Sequence, residues 1–190
     1  MKKFLIGFFC CMFFAQTYAQ TQKTEVPKPD APKLATTCAA CHGVEGVSTN
    51  TLWPNLAAQQ PGYLFKEMKA FRDGTRVEPS MPDALLQDVS DQDLADLASY
   101  YSSLPGAVPA IVANTQPGQH VRARCVSCHG MNGITVSSIW ANLAGQKEGY
   151  LKKQLLDYKY GRREHPIMQV IAGELSDQQI ADVAKYYSQH

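Results

Sequence analysis

Residues 38–42 read Cys-Ala-Ala-Cys-His, and residues 125–129 read Cys-Val-Ser-Cys-His. The two motifs lie 87 residues apart, and the sequence that follows them repeats at the same offset, with 18 identities over 44 aligned positions and no gap. Repetition at this period indicates one structural unit written twice. A chain of 190 residues is long enough for two small domains, so we predict an internal duplication.

The residues after each motif favour helices. Ser90 is followed three residues later by Asp93, and Ser176 by Gln179, a pattern typical of a capped helix start. Apolar residues then recur at the spacing of one helix face, and no stretch alternates as a strand would. Each Cys-x-x-Cys-His motif is expected on a short helix. We therefore predict an all-α protein of two tandem helical domains.

The two motifs are sequences for covalent haem attachment. Two cysteines one helical turn apart can each form a thioether with a haem vinyl group, and the adjacent histidine then faces the iron. The motifs predict two covalently bound haem c groups, which also fill the small core of each domain. The attachment residues are Cys38, Cys41 and His42 in the first copy, and Cys125, Cys128 and His129 in the second.

Three other uses of these cysteines are less consistent with the sequence. A thioredoxin-type redox pair belongs at a helix start in a βαβ unit, and no such unit is indicated. A zinc site shared by the two pairs leaves both contiguous histidines unexplained. Plain disulfides, which an oxidising compartment permits, do not require a histidine after each pair.

The sixth iron ligand is predicted to be a methionine thioether. Met81 and Met168 occupy equivalent positions, each 39 residues after the histidine of its own motif. A His/Met haem is six-coordinate, has a raised potential and leaves no easy site for oxygen or peroxide. Met68 aligns with a leucine and is interpreted as a core residue, and Met131 aligns with a valine and is discounted as a ligand.

Other candidate residues have open interpretations. Three histidines without a counterpart in the other copy are expected at the surface or in the linker: His120, His165 and His190. Repeated aromatic residues either contact the haem groups or pack in the cores: Trp53, Trp140, Tyr63 and Tyr150. Arg76 and Arg163 either pair with haem propionates or are exposed after a helix-terminating glycine.

The N-terminus has the pattern of a cleavable secretory signal. Lys2 and Lys3 precede an apolar stretch over residues 4–14, and small residues allow cleavage after Ala19. The apolar stretch is too short to span a bilayer, so cleavage and export are predicted rather than a membrane anchor. The expected divisions are a signal peptide (1–19), a flexible leader (20–32), one domain (33–104), a Pro- and Gly-containing linker (105–118) and a second domain (119–190).

Charge argues against nucleic acid as a partner. The formal net charge is +1, with no clustered basic surface indicated. Residues 20–104 contain 7 Lys and Arg against 11 Asp and Glu, whereas residues 105–190 contain 9 against 6. The two halves therefore differ in sign. Either this difference orients protein partners during their encounter, or the charges are scattered over solvated faces and steer nothing.

The second copy carries a more specific resemblance. Asn-Leu-Ala-Gly-Gln at 142–146, Gly161-x-Arg163 and Pro-Ile-Met at 166–168 resemble the dihaem cytochrome c family of the cytochrome c4 type. The first copy departs from this pattern at Ala58 and in Ser-Met-Pro at 80–82. The resemblance covers residues 33–189 and implies two cytochrome c-like domains with their haem groups close together. It also implies a periplasmic electron carrier, at most peripherally bound to the membrane, that feeds a membrane-bound terminal oxidase.

The leading hypothesis is thus an electron-transfer protein without substrate chemistry, acting between a redox protein donor and acceptor. Two alternatives stay open. One is a haem-bearing subunit of a larger dehydrogenase complex, whose haem sites would look the same. The other is a dihaem peroxidase-like enzyme, which needs an open or unusually ligated iron and is disfavoured by the paired methionines.

Overall fold

A computed structural model of the chain describes residues 32–107 and 117–190. Within these two ranges all regular secondary structure is helical and no β-strand occurs, as the sequence predicts. None of the helices there is long and apolar enough to cross a membrane. The predicted signal peptide, nearly all of the leader and the middle of the linker lie outside the described residues.

The first unit contains three α-helices, α1 (Ala35–His42), α2 (Pro61–Arg72) and α3 (Asp91–Ser103), and a 3-10 turn (Asp83–Leu85). The second contains α4 (Gly118–Val121), α5 (Val126–His129), α6 (Glu148–Lys159), α7 (Pro166–Gly173) and α8 (Asp177–Ser188), with a 3-10 turn (Arg122–Arg124) before α5. Both Cys-x-x-Cys-His motifs end a short helix, as expected.

The last helix of each unit organises its core. Ser90 and Ser176 each accept a hydrogen bond from the third backbone N–H of the helix and form the predicted capping boxes. Helix α3 packs on α2, and α8 packs on α6 and α4. The side chains turned inward are almost fully buried: Leu94, Leu97 and Tyr101 in α3, and Ile180, Val183 and Tyr187 in α8.

The two units differ just after the repeated methionine. Met168 lies in the first turn of α7, where Gln169 N–H donates to the carbonyl of His165. The residue equivalent to Gln169 is Pro82, which has no N–H to donate and therefore cannot form this first helical hydrogen bond. The first unit accordingly has only the short 3-10 turn after Met81.

The units meet through contacts that repeat with two-fold symmetry. Gln146 Oε1 accepts from the backbone N–H of Asn55 (2.7 Å) while its Nε2 donates to the Asn55 carbonyl (2.9 Å). Gln59 makes the same pair of bonds with Asn142 (2.6 and 2.9 Å). Because the contact residues are the repeated ones, each domain presents the same surface to the other.

Candidate functional site

The histidine of each motif is held in one orientation by a backbone carbonyl. His42 Nδ1 lies 2.8 Å from the Pro54 oxygen, and His129 Nδ1 lies 2.7 Å from the Ala141 oxygen. A ring that donates its Nδ1–H to a carbonyl keeps the lone pair of Nε2 free for a metal. Burial lowers the pKa of both histidines, which favours the neutral form that a metal ligand requires.

The glycine that follows each histidine allows the chain to turn at once. Gly43 and Gly130 both have φ of +81°, a conformation that residues with side chains rarely adopt. A Cβ on Gly43 would lie 2.2 Å from the Val47 carbonyl oxygen, and one on Gly130 would lie 1.9 Å from the Ile134 oxygen. The turn after each histidine therefore requires a glycine.

Two of the cysteines, Cys38 and Cys125, are half-buried and lack the environment of a reactive thiol. None of the four within the described ranges is in a disulfide. Burial raises the pKa of Cys38 and of Cys125, whereas a redox-active thiol needs a lowered pKa. No cluster of three or more His, Cys, Asp or Glu that could hold a metal occurs among the described residues.

A single cavity of about 400 Å³ runs between the two units. Its lining includes every residue proposed from the sequence for the two sites, namely Cys38, Cys41, His42, Met81, Cys125, Cys128, His129 and Met168. Both tryptophans, Trp53 and Trp140, line it as well. The structure therefore brings the two predicted sites together across the interface, on one continuous space.

The residues discounted as ligands fall into two groups. His120 is exposed, as expected, and Met131 is exposed as well. Met68 packs against the first core, also as expected, but lines the cavity too. His165 departs from the surface position predicted for it: it is half-buried, lines the cavity and accepts a hydrogen bond from Met168 N–H at Nδ1 (3.3 Å). It is the N-cap of α7, the helix that the first unit lacks.

Arg76 lies buried at the interface, and its side chain is 8% exposed. It donates to Glu67 Oε2 in its own unit (2.7 Å). Across the interface it donates to Gln154 Oε1 (2.8 Å) and to the hydroxyl of Tyr150 (3.2 Å). The interpretation of this residue as an exposed arginine is therefore wrong.

Arg163 repeats these contacts from the other side and is equally buried. It donates to Gln154 Oε1 in its own unit (2.6 Å), and across the interface it approaches Glu67 Oε2 (2.9 Å) and the Tyr63 hydroxyl (3.2 Å). We refer to the six residues Tyr63, Glu67, Arg76, Tyr150, Gln154 and Arg163 as the arginine cluster. All six line the cavity.

The arginine cluster has a net positive charge and contains one hydrogen-bond donor without an acceptor. Burial raises the pKa of Glu67, but the charges of Arg163 and Arg76 more than offset this and hold it below its usual value. Two guanidinium groups therefore face one carboxylate. Gln154 Nε2 is buried without a hydrogen-bond partner. A buried orphan donor beside excess positive charge suits a carboxylate ligand.

Comparisons with known proteins identify the family of the chain. The family model for cytochrome c matches the chain twice, over residues 30–105 and 116–190. The chain belongs to the cytochrome c family. It is 36% identical over 167 residues to cytochrome c4 of Pseudomonas aeruginosa, an alignment that covers 80% of this chain and 83% of that protein. The family resemblance of the cytochrome c4 type is thereby confirmed.

Two further similarities extend the comparison. The crystal structure of reduced recombinant cytochrome c4 from Pseudomonas stutzeri matches with a TM-score of 0.72 at 30% identity, covering 82% of this cytochrome and 94% of that chain. A protein of Stutzerimonas stutzeri (strain A1501) named thiosulfate dehydrogenase electron acceptor is 30% identical over 175 residues, covering 83% of this chain and 81% of its own.

This cytochrome carries two covalently bound haem c groups, as predicted, and its residues fit them. Each half offers two thiols for the vinyl groups and a neutral imidazole to the cavity. The arginine cluster offers guanidinium, hydroxyl and amide donors to propionate carboxylates, and the unpartnered Gln154 Nε2 is one of these donors. From the sequence alone, the two arginines are recognisable only as a repeated pair. Nothing in the sequence marks Glu67 or Gln154 as functional residues.

Proposed function

We propose that this dihaem electron-transfer cytochrome is a periplasmic carrier of single electrons, with no substrate chemistry. Its iron ligands are His42 with Met81 in the first domain and His129 with Met168 in the second. The observation that carries the proposal is the shared cavity, which is lined by both sets of four residues from opposite sides of one interface. We also propose that the two haem-binding domains comprise residues 33–104 and 119–190.

The ligand assignment rests on chemistry and on repetition. Each histidine presents Nε2 to the cavity because its Nδ1 is engaged by a carbonyl. Met81 and Met168 line the same cavity although one precedes a 3-10 turn and the other lies in α7. A thioether kept at one position in spite of different local structure is better explained by ligation than by packing.

Because the chain itself would supply both a histidine and a methionine to each haem iron, the protein would act as a carrier rather than an enzyme. Haem iron with histidine and methionine as ligands accepts and releases one electron at a raised potential. The protein's part is to hold the imidazole, supply the thioether and keep the two halves fixed. The paired bonds between Gln146 and Asn55 and between Gln59 and Asn142 perform the last of these.

An optical and redox titration of the mature protein tests this proposal. We expect two c-type haems per chain, both low-spin, with the near-infrared absorption of a methionine–iron bond and no carbon monoxide binding after reduction. The physical reason is that neither iron has a free coordination position. A high-spin haem in the resting protein, or rapid carbon monoxide binding, would contradict it.

The sequence similarities suggest two candidate redox partners, one an electron acceptor and the other an electron donor. The resemblance to cytochrome c4 suggests delivery of electrons to a membrane-bound terminal oxidase, with at most peripheral membrane association. The relative named thiosulfate dehydrogenase electron acceptor favours a second candidate, in which this chain accepts electrons from a thiosulfate-oxidising enzyme. That candidate fits only in part the alternative of a haem-bearing subunit in a larger dehydrogenase complex.

The second candidate is tested by mixing the oxidised protein with a thiosulfate dehydrogenase and thiosulfate in a stopped-flow spectrometer. If the enzyme is its donor, we expect reduction of both haems at a rate that rises with enzyme concentration and falls with salt, since encounter between charged proteins is steered electrostatically. Omission of thiosulfate is the control. Reduction by ascorbate but not by the enzyme would exclude this donor.

A further inference from the structure

The arginine cluster is symmetric in every pair of residues except one. Tyr63 corresponds to Tyr150 and Arg76 to Arg163, each 87 residues apart. At the third pair the first domain has Glu67 and the second has Gln154. The two side chains have nearly the same shape but differ by a full negative charge.

Both members of this pair occupy the same place between the arginines. Gln154 Oε1 accepts from Arg76 (2.8 Å) and Arg163 (2.6 Å). Glu67 Oε2 lies 2.7 Å from an Arg76 nitrogen and 2.9 Å from an Arg163 nitrogen. Position 67 in one domain is thus equivalent to position 154 in the other, in contacts as well as in sequence.

The charge at position 67 is buried and persistent. The Glu67 side chain is 13% exposed, so water screens it poorly and its field extends further than that of a surface charge. The two arginines keep the carboxylate ionised at neutral pH. Both it and Gln154 line the cavity that the two haem sites share.

We propose that Glu67 makes the two haem sites electrostatically inequivalent and so contributes to the difference between their reduction potentials. The inference rests on the proposed function, since it requires both haems to lie in the shared cavity. A negative charge stabilises the ferric form, which carries one more positive charge than the ferrous form, and therefore lowers a potential. A single carboxylate in a two-fold arrangement lowers the two potentials by different amounts.

Charge relocation tests this more sharply than charge removal. Glu67→Gln makes the cluster symmetric, and the double variant Glu67→Gln/Gln154→Glu moves the carboxylate to the other domain without changing the net charge. Both substitutions are nearly isosteric, so the hydrogen bonds to the arginines are retained. Spectroelectrochemical titration gives the two midpoint potentials of each variant.

We expect Glu67→Gln to raise both potentials and to change their separation. The double variant should change the separation in the same direction by about twice as much, with the mean of the two potentials close to that of the wild type, because the contributions of distant charges add. Gln154→Glu alone should lower both potentials.

The inference would be overturned if the difference between the two midpoint potentials were the same in the wild type, in Glu67→Gln and in the double variant. A double variant whose separation equals that of Glu67→Gln would overturn it too. The optical spectra of the wild type and of each variant are recorded in parallel. If the wild type itself lacks the methionine–iron absorption, the proposed ligands are refuted, which is a different result from failure of this inference. A shift in potentials with unchanged spectra and unchanged melting temperature is not produced by a merely structural role.

Discussion

Met168→Ala is expected to open the distal side of the C-terminal haem, so that the reduced protein binds carbon monoxide at one of its two irons. Loss of the thioether should lower the potential of that haem by on the order of 100 mV, a modest part of the ~0.8 V range over which axial ligands act. The fold should survive because Cys125 and Cys128 still hold the haem. Difference spectra with carbon monoxide and a redox titration measure both effects.

Met68→Leu is the matched control for this substitution. Met68 lines the same cavity and packs against the first core, and its equivalent in the second domain is Leu155. The leucine should therefore be accepted with little change in spectrum, potential or carbon monoxide binding. If Met168→Ala behaves like Met68→Leu, then Met168 is a packing residue and the ligand assignment for the second domain is wrong.

The local features of the fold could be predicted from the sequence because short-range chemistry determines them. The capped starts of α3 and α8 depend on Ser90, Ser176 and the residue three positions later, and all these bonds form as predicted. The attachment motifs end short helices because each is followed by a glycine that can adopt positive φ. In these cases the deciding partners lie within a few residues.

The interface could not be predicted because its partners are distant in sequence. Asn55 meets Gln146, 91 residues away, and Arg163 meets Tyr63, 100 residues away. In the sequence these residues are visible only as repeated polar positions, which fit a solvated surface equally well. What distinguishes Arg163 from a surface arginine is the set of acceptors supplied by the other domain.

Charge counting by domain has the same weakness. The excess of cations in the second half includes Arg163, which is buried, and Lys153, which pairs with Glu78 of the first domain (2.6 Å) and with Asp157 (2.7 Å). Such charges hold the domains together and are not free to steer a partner. Partner selection by charge therefore depends on fewer residues than the sequence suggests.

Gly62→Val is expected to disrupt the interface while both haem groups stay attached. Gly62 lies in the first turn of α2, and a Cβ there would lie 2.8 Å from the Ser138 carbonyl oxygen of the other domain, which accepts a hydrogen bond from Tyr63 N–H (2.7 Å). Overpacking against backbone typically costs about 1–3 kcal/mol. For a chain of this size, each kcal/mol lowers the melting temperature by about 2–4 °C.

Thermal unfolding followed at the haem absorption, together with the radius of gyration from small-angle scattering, measures this effect. Gly149→Val should act in the same way, since a Cβ at Gly149 would lie 2.8 Å from the Thr51 carbonyl oxygen across the interface. Gly173→Ala is the control, because a Cβ at that position would have no heavy atom within 4 Å other than those of its chain neighbours and the backbone of its own helix. If both valine variants keep the wild-type melting temperature and compactness, the symmetric approach of the two domains at Gly62 and Gly149 is not what holds them together.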